Sequence, residues 1–475
     1  MKHNKKKRKQ KRHYYSLIFL LTLITVLLFG GITLSASFSS SDTISIAELT
    51  SETLSFSISD IVTNTDTNEQ DILPPEEPVP PSFEEYDIKL MAVGDNLLHM
   101  GIVNTGRQSD GTRNYDFLFE GISAFLETAD IKIINQETIF GGNQLGFQGY
   151  PKFNSPTEVG DAIVNAGFNV VLQATNHTAD QGLNGMQNCI EFWKTYPEML
   201  IAGLHDPYMQ ESGESHIPLL EIGDFTFAIL NYTYGPNSEV VSSAIASQLD
   251  MLCAVNESNR RIDFTTLNPK VISDITEAKT LADIVIVCPH WGTEYATVPS
   301  SYQEKFAMQM TEAGADIIIG THPHVVQPVK WIEAENGNRA LCYYSLGNYV
   351  STQKNGESML EGLAWVTFHV TEEGISISEE KTGIIPMVCQ YSSGPLRLKN
   401  VYLLENYTEE LASTHGIIPY GGISFHLSSL QKWSDELLGN WVLSADEVLH
   451  TVEANPDMQS IDVAQDTMPI IITNE

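Results

Sequence analysis

The sequence predicts an α/β fold preceded by a membrane-spanning helix and a disordered stalk, and three observations predict it. A basic N-terminal cluster leads into one long apolar span. Residues 36–85 are rich in Ser, Thr, Pro and Glu with no sustained hydrophobic period. From Tyr86 onward, short Val/Ile-rich runs alternate with helix-like segments.

The 475 residues include 26 Lys+Arg and 60 Asp+Glu, a formal net charge of −34. Eight of the basic residues lie within the first 12 positions and no acid precedes Asp42, so the remainder sets 18 bases against 60 acids, or −42. So acidic a body offers no surface that could neutralise a run of phosphates, which excludes a nucleic-acid binder.

Residues 1–16 form the basic head. Residues 17–35 follow, and Leu17–Leu34 is apolar apart from Thr and Gly; about 18–20 such residues span a ~30 Å hydrocarbon core. The charge asymmetry orients the head to the cytoplasm and the body to the exterior, as a single-pass protein of the cell membrane. A cleaved secretory signal is the alternative, because Thr33 and Ser35 have the small-x-small form, although a signal's apolar region usually runs about 7–15 residues. Both readings export the body. The stalk, residues 36–85, ends in Leu73–Pro81 (LPPEEPVPP), an extended Pro-rich stretch that holds the body away from the membrane. The five cysteines (Cys189, Cys253, Cys288, Cys342, Cys389) contain no CxxC pair and read as small buried hydrophobes with at most one disulfide.

The body's strand-like runs are Ile88–Val93, Ile131–Ile134, Val170–Ala174, Phe225–Leu230, Ile284–Cys288, Ile317–Ile319 and Leu341–Tyr344. Helices are expected between them, for example over Gly185–Tyr196 and Tyr302–Ala313. Six of the runs end in polar residues: Gly94-Asp95-Asn96, Asn135-Gln136-Glu137, Thr175-Asn176-His177 with Asp180, His290 with Glu294, Thr321-His322-Pro323-His324, and Gly347-Asn348. Taken singly, each is as well read as a cap or turn former. Together, at strand ends that gather along one edge of an open sheet, they assemble oxygen and imidazole ligands without a thiolate. That set suits Mn²⁺, Fe²⁺ or Zn²⁺, and two such ions about 3.5–4 Å apart can activate water for in-line displacement at phosphorus.

Several stretches resemble the CapA family, associated with poly-γ-glutamate capsule biosynthesis, whose domain resembles a divergent calcineurin-like metallophosphoesterase. They are Ala92–Asp95, Asn135–Thr138, Ala174–Gly182, Trp291–Tyr295, Gly314–Gln327 and Tyr344–Tyr349, in family order across about residues 86–352. The resemblance implies a metallophosphatase-like α/β/β/α sandwich over 86–390, followed by a C-terminal extension over 391–475. It implies Asp95, Glu137, Asn176, His290, His322 and His324 as ligands of a divalent metal centre of two ions, with Glu137 as the bridge. It further implies His177 as proton donor or charge stabiliser, Asp180 as its orienting partner, and Glu294 and Asn348 as substrate-holding residues on the rim. Trp291 and Tyr349 read as packing. The chain departs from the family at Gln136, where Leu is usual, at Thr175, where Asn is usual, and in lacking the phosphoesterase Asp-x-His opening after Asp95, a departure expected to weaken one metal position.

Two functions follow: a metal-dependent hydrolase or transferase at the cell surface, or a non-catalytic accessory subunit of a capsule polymerase complex that keeps the fold as a binding surface. The implied partners are poly-γ-glutamate or its synthase complex in the membrane. Past Gly356, the runs Leu363–Val370, Gly374–Ser378 and Gly383–Val388 are expected to complete the sandwich's second sheet with one face covered. His415, His426 and His450 are scattered and read as surface or packing residues. Leu427–Leu449 has helical texture, as a packing extension or a partner-binding element.

Overall fold

A computed structural model describes residues 83–206, 216–394, 396–420 and 425–449. The basic head, the apolar span 17–35, nearly all of the stalk, and His450 lie outside these residues. Among the described residues no helix is long and apolar enough to cross a membrane. Contacts divide the chain into two units. Of the smaller, only 83–85 and 371–374 are described, a lead-in segment and a turn with its flanking strand ends. The larger unit carries the layers and the site.

Seventeen strands are described: β1 (Tyr86–Asn96), β2 (Ile131–Asn135), β3 (Val170–Leu172), β4 (Leu200–Ala202), β5 (Leu219–Ile222), β6 (Phe225–Thr233), β7 (Cys253–Val255), β8 (Ile262–Leu267), β9 (Ile284–His290), β10 (Ile317–Ile319), β11 (Val329–Glu333), β12 (Arg339–Tyr343), β13 (Asn348–Val350), β14 (Leu360–Thr371), β15 (Gly374–Ile377), β16 (Gly383–Ser392) and β17 (Arg397–Leu403). The first sheet has the order β17-β16-β14-β1-β2-β3-β4, with β13 beside β1 and β15 beside β14; the second runs β11-β12-β10-β9-β6-β5, and β7 and β8 form a ribbon. All seven predicted runs are strands, and six extend beyond or stop short of the predicted bounds by one to three residues.

The sheets face each other. The Phe227 ring of β6 meets Phe368 of β14 edge-on at 5.2 Å between centroids, and the Tyr343 hydroxyl of β12 donates to the Gly383 carbonyl of β16 at 2.9 Å. Helices cover the outer faces, giving helix, sheet, sheet, helix. On the first sheet, Phe125 of helix Ser123–Thr128 packs against Trp365. On the second, Val271, Ile275 and Ala278 of helix Pro269–Leu281 and Phe306 and Met310 of helix Ser301–Ala313 join the apolar cluster of Val285, Val287 and Ile318. The second of these helices forms where its caps dictate. Ser300 and Gln303 make a capping box, and Gly314 ends the helix at φ +115°, a conformation that costs a residue without Cβ little.

One expectation needs correction. The runs after Gly356 do not complete the second sheet; β14 pairs antiparallel with β1 from Tyr86↔Val370 to Val93↔Leu363, and β15 and β16 pair with β14 in the first. Leu360 to Phe368 is buried on both faces, so the apparent alternation marked an interior strand and not a half-covered one. β17 then adds to β16, carrying the sheet to Leu403. Leu427–Leu449 is broken into helix Leu427–Leu437, a 3₁₀ turn and helix Ala445–Leu449. All five cysteines are buried free thiols, so none forms a disulfide.

His415 is a core residue with a measurable consequence. Its Nε2 lies 2.8 Å from the Cys389 carbonyl and its Nδ1 accepts the Ile417 N–H at 3.1 Å; burial lowers its pKa from 6.5 to about 4. The unfolded chain protonates this ring near pH 6.5 and the folded chain only near 4. Its contribution to stability is therefore complete above about pH 6.5 and falls as pH drops through that window, by up to about 1.4 kcal/mol per unit. Urea unfolding from pH 7 to 4.5 should show a shallower pH slope in His415→Gln than in the native chain; equal slopes would refute the assignment.

Candidate metal centre

Strand ends deliver the site. The first sheet brings Asp95 within β1, Glu137 two residues past β2, and Asn176, His177 and Asp180 past β3. The second brings His290 as the last residue of β9, and His322 and His324 past β10. Parallel pairing of β1 with β2, β2 with β3, and β9 with β10 sets these ends along common edges, where ligands gather.

Glu137 is the centre of the cluster. Its Oε1 lies 3.7 Å from His324 Nε2, 3.9 Å from His290 Nε2 and 4.0 Å from His177 Nε2, and neither of its oxygens has a hydrogen-bond partner. Ionising an unpartnered buried carboxyl is costly. Burial accordingly pushes the Glu137 pKa well above the usual carboxylate range, with His324 opposing the rise. Burial pulls His324 the other way, yet Glu137 and the hydrogen bond to Asp95 raise it to about 9. Burial, and then the neighbouring histidines, hold His290 and His322 well below 6.5, as the neutral rings that a metal requires.

Donor atoms of Glu137, His290 and His322 lie within 4.8 Å of one another; so do those of Asp95, Glu137 and His324, and those of Glu294, His322 and His324. Glu137 belongs to the first two groups, so its carboxylate is common to both. The Asp95 carboxylate is already engaged. Its Oδ1 accepts from Asn135 Nδ2 at 2.7 Å, and its Oδ2 lies 2.9 Å from His324 Nδ1; the His322 amide donates to both at 3.2–3.3 Å. This contact turns His324 Nε2 toward Glu137, as carboxylates behind metal-binding imidazoles do.

His322 and His324 adopt φ of +97° and +58°. Left-handed backbone costs a residue with Cβ roughly 1–2 kcal/mol and persists where the surroundings impose it. In this conformation the His322 N–H donates to the Asp95 carboxylate, and the His322 Nδ1 is left buried without a partner. Asn176 Oδ1 lies 3.0 Å from His290 Nε2, so both heads converge on one point. His177 Nδ1 sits 2.7 Å from Asp180 Oδ2, which also accepts the Phe153 N–H at 2.7 Å, while the Phe153 ring meets the imidazole edge-on at 4.6 Å. The ring is thereby fixed with Nε2 facing Glu137.

Glu294 is exposed at the rim. Asn348 is not on the rim: it is fully buried, and its Nδ2 is spent on Gln353 Oε1 at 3.0 Å, the Ser358 carbonyl at 3.1 Å and the His324 carbonyl at 3.3 Å. The reason is register, since Asn348 pairs with Asp95 inside the sheet. Trp291 and Tyr349 are buried, donating to the Tyr344 and Leu118 carbonyls.

The departures from the resembled family are built into the site. Gln136 accepts from Asn96 Nδ2 and donates to the Thr138 carbonyl, both at 2.6 Å, joining the end of β1 to the loop after β2. The Thr175 hydroxyl donates to the Glu137 carbonyl at 2.7 Å and accepts the His177 N–H at 3.1 Å, tying the loop that carries His177 to Glu137. Sequence reasoning missed two neighbours. Asn237 Oδ1 accepts from Asn176 Nδ2 at 3.1 Å, and Tyr234 stands 4.8 Å from the His322 ring. Both follow β6, in a loop without His, Asp or Glu before Glu239, so a search for ligands had nothing to find there. His99 is lowered to about 4 by burial and then by His324, and its ring faces Phe153 at 5.4 Å, but it belongs to none of the donor groups.

The family described as bacterial capsule synthesis protein PGA_cap matches residues 89–353, more than half of the chain. The chain is 34% identical over 209 residues to the PGA biosynthesis protein CapA of Bacillus subtilis (strain 168), covering 44% of this chain and 48% of that protein. It is 28% identical over 287 residues to the capsule biosynthesis protein CapA of Bacillus anthracis, covering 58% and 62%. The matches thus span about half to three-fifths of those relatives' lengths. Among solved structures it is similar to a putative 5′-nucleotidase from Staphylococcus aureus at 15% identity and a TM-score of 0.35, covering 74% of this chain and 59% of that one.

Proposed function

We propose, from the premise that the chain belongs to the bacterial capsule synthesis family PGA_cap, that it acts in assembly or export of a poly-γ-glutamate capsule and uses the Glu137 cluster as a divalent-metal site for hydrolysis or group transfer. One observation carries this reading: both oxygens of Glu137 are buried without a partner, and its Oε1 faces three imidazole nitrogens within 4.0 Å. A cation relieves that arrangement, and the oxygen and nitrogen donors fit Mn²⁺, Fe²⁺ or Zn²⁺. Glu137, Asn176, His290, His322 and His324 would hold it, with Asp95 completing the set or orienting His324. When bound, such an ion supplies Lewis acidity and a nucleophilic water near neutral pH.

The remaining residues act on protons and position. Asp180 fixes the His177 ring so that Nε2 points into the cluster, where it can deliver a proton to a departing oxygen. Thr175 keeps that ring in register with Glu137. The acidic body repels a polyanion at long range, so polymer contact depends on the cation. Anchoring through residues 17–35 at the outer face of the cell membrane, and a synthase complex as partner, belong to the same proposal.

The test combines elemental analysis of the full chain with cleavage assays on a phosphodiester and on poly-γ-glutamate. One or two ions per chain are expected, with His177→Ala keeping the metal and losing about 10²–10⁴-fold in turnover. Metal without turnover on either substrate would favour the non-catalytic accessory subunit. A metal-free protein after incubation with Mn²⁺, Fe²⁺ and Zn²⁺ would sink the reading.

A further inference from the structure

Beside the cluster lies a pocket of about 250 Å³ to which none of these functions has been assigned; Tyr234, Phe264, Trp291, Tyr302, Gln303 and Phe306 are among its lining residues. Five of the eleven lining residues are aromatic, and no Asp, Glu, Lys or Arg lines it. The Gln303 amide is held in place, its Oε1 accepting from the Ser300 amide at 2.9 Å and its Nε2 donating to Gln327 at 2.8 Å. Tyr234 is the shared wall. One side of its ring meets the histidines, 4.8 Å from His322 and stacked on His290 at 6.4 Å, and it meets Phe264 at 6.0 Å. The loop that closes the pocket at Trp291 and Gly292 continues into Glu294, whose carboxylate is grouped with His322 and His324. At the pocket, Phe264 and Tyr302 remain 40% and 45% exposed.

We propose that this pocket is a second subsite that takes an uncharged aromatic ring, carried by a molecule whose anionic group sits at the Glu137 cluster. The second half of that statement rests on the metal reading above; the first does not. A 150 Å³ apolar cavity holds a benzene ring, so about 250 Å³ accommodates one ring with substituents or two fused rings. Aromatic walls favour a flat π-face over an aliphatic chain through offset and edge-on contacts. A charged group would be desolvated there without a partner. Poly-γ-glutamate has no ring, so the subsite recognises a leaving group or a carrier and not the polymer.

The test is calorimetric titration of the full chain, with three probes: neutral 1-naphthol, 1-naphthyl phosphate and methyl phosphate, the two phosphates in the presence of Mn²⁺. Naphthol should bind with or without metal and weaken about 10-fold or more in Phe264→Ala and in Tyr302→Ala, both exposed positions whose truncation the fold tolerates. Naphthyl phosphate should bind at least about 10-fold more tightly than methyl phosphate, with that advantage lost in both variants. Naphthol that fails to bind, or that binds the variants unchanged, overturns the subsite whatever the phosphates do. Naphthol binding lost in the variants with neither phosphate retained upholds the ring pocket and overturns the metal reading and its link to the pocket. Phosphates held equally, with no naphthol bound, leave the metal reading standing and remove the subsite.

Discussion

Replacing Glu137 by Gln will lower divalent-metal affinity by at least about 100-fold while changing the unfolding free energy of the metal-free protein by about 1 kcal/mol or less. The two halves have one cause. Without a cation, burial holds the carboxyl well above its usual pKa and so favours its neutral form. The Gln amide has its shape and lack of charge, so little is lost on folding. With a cation, the carboxylate is the group shared by two of the donor clusters, and the amide cannot supply its charge. Competitive chelator titration measures the first effect and urea unfolding in excess chelator the second. If the variant kept its metal, Glu137 would not be the bridge. If it unfolded without metal by several kcal/mol, the carboxyl would have a structural partner that the geometry denies.

Gly94→Ala should cost about 3 kcal/mol of stability and remove the metal with it. A Cβ at Gly94 would stand 2.0 Å from the Gly347 carbonyl oxygen, and that atom is backbone, already bound by the Asp95 amide at 3.0 Å. No side chain can swing aside. β1 and the Gly347 turn must separate, and Asp95 then shifts from the His322 amide and from His324. Gly111→Ala is the control: φ is +90°, but nothing lies within 4 Å, so only backbone strain of about 1 kcal/mol is expected. Equal losses of stability in the two variants would show that the approach of the two chains at Gly94 is not what the glycine serves.

Much of the site is legible in the amino-acid sequence because its chemistry lies at strand ends. β1, β2, β3, β9 and β10 are apolar runs, each followed or closed by a ligand-type residue, and parallel pairing carries such residues to one edge of each sheet. Tyr234 and Asn237 are not legible in this way. They come from a strand of the same kind, β6, whose following loop places them against the cluster without a titratable side chain to betray it. Asn348 reads as polar and strand-terminal, but its burial depends on pairing with Asp95 about 250 positions away. The misplacement of β14 has the same origin. Alternation reports how one strand is patterned, whereas its place in a sheet depends on the partner it meets, and the partner of β14 is β1.

Composition and spacing settled what the protein could contain: an acidic body unsuited to nucleic acid, an α/β fold, and a set of oxygen and imidazole donors without thiolates. These are local properties, since hydrophobic period and residue type act over a few positions. The tertiary structure alone decided which donors are spent and which are free. Asp95 and Glu137 are both strand-end acids, yet Asp95 accepts from Asn135, His322 and His324, while both oxygens of Glu137 are left bare among the rings. The difference arises only when two sheets close over the cluster, because desolvation and the count of hydrogen-bond partners are set by the chains around a group and not by its own sequence.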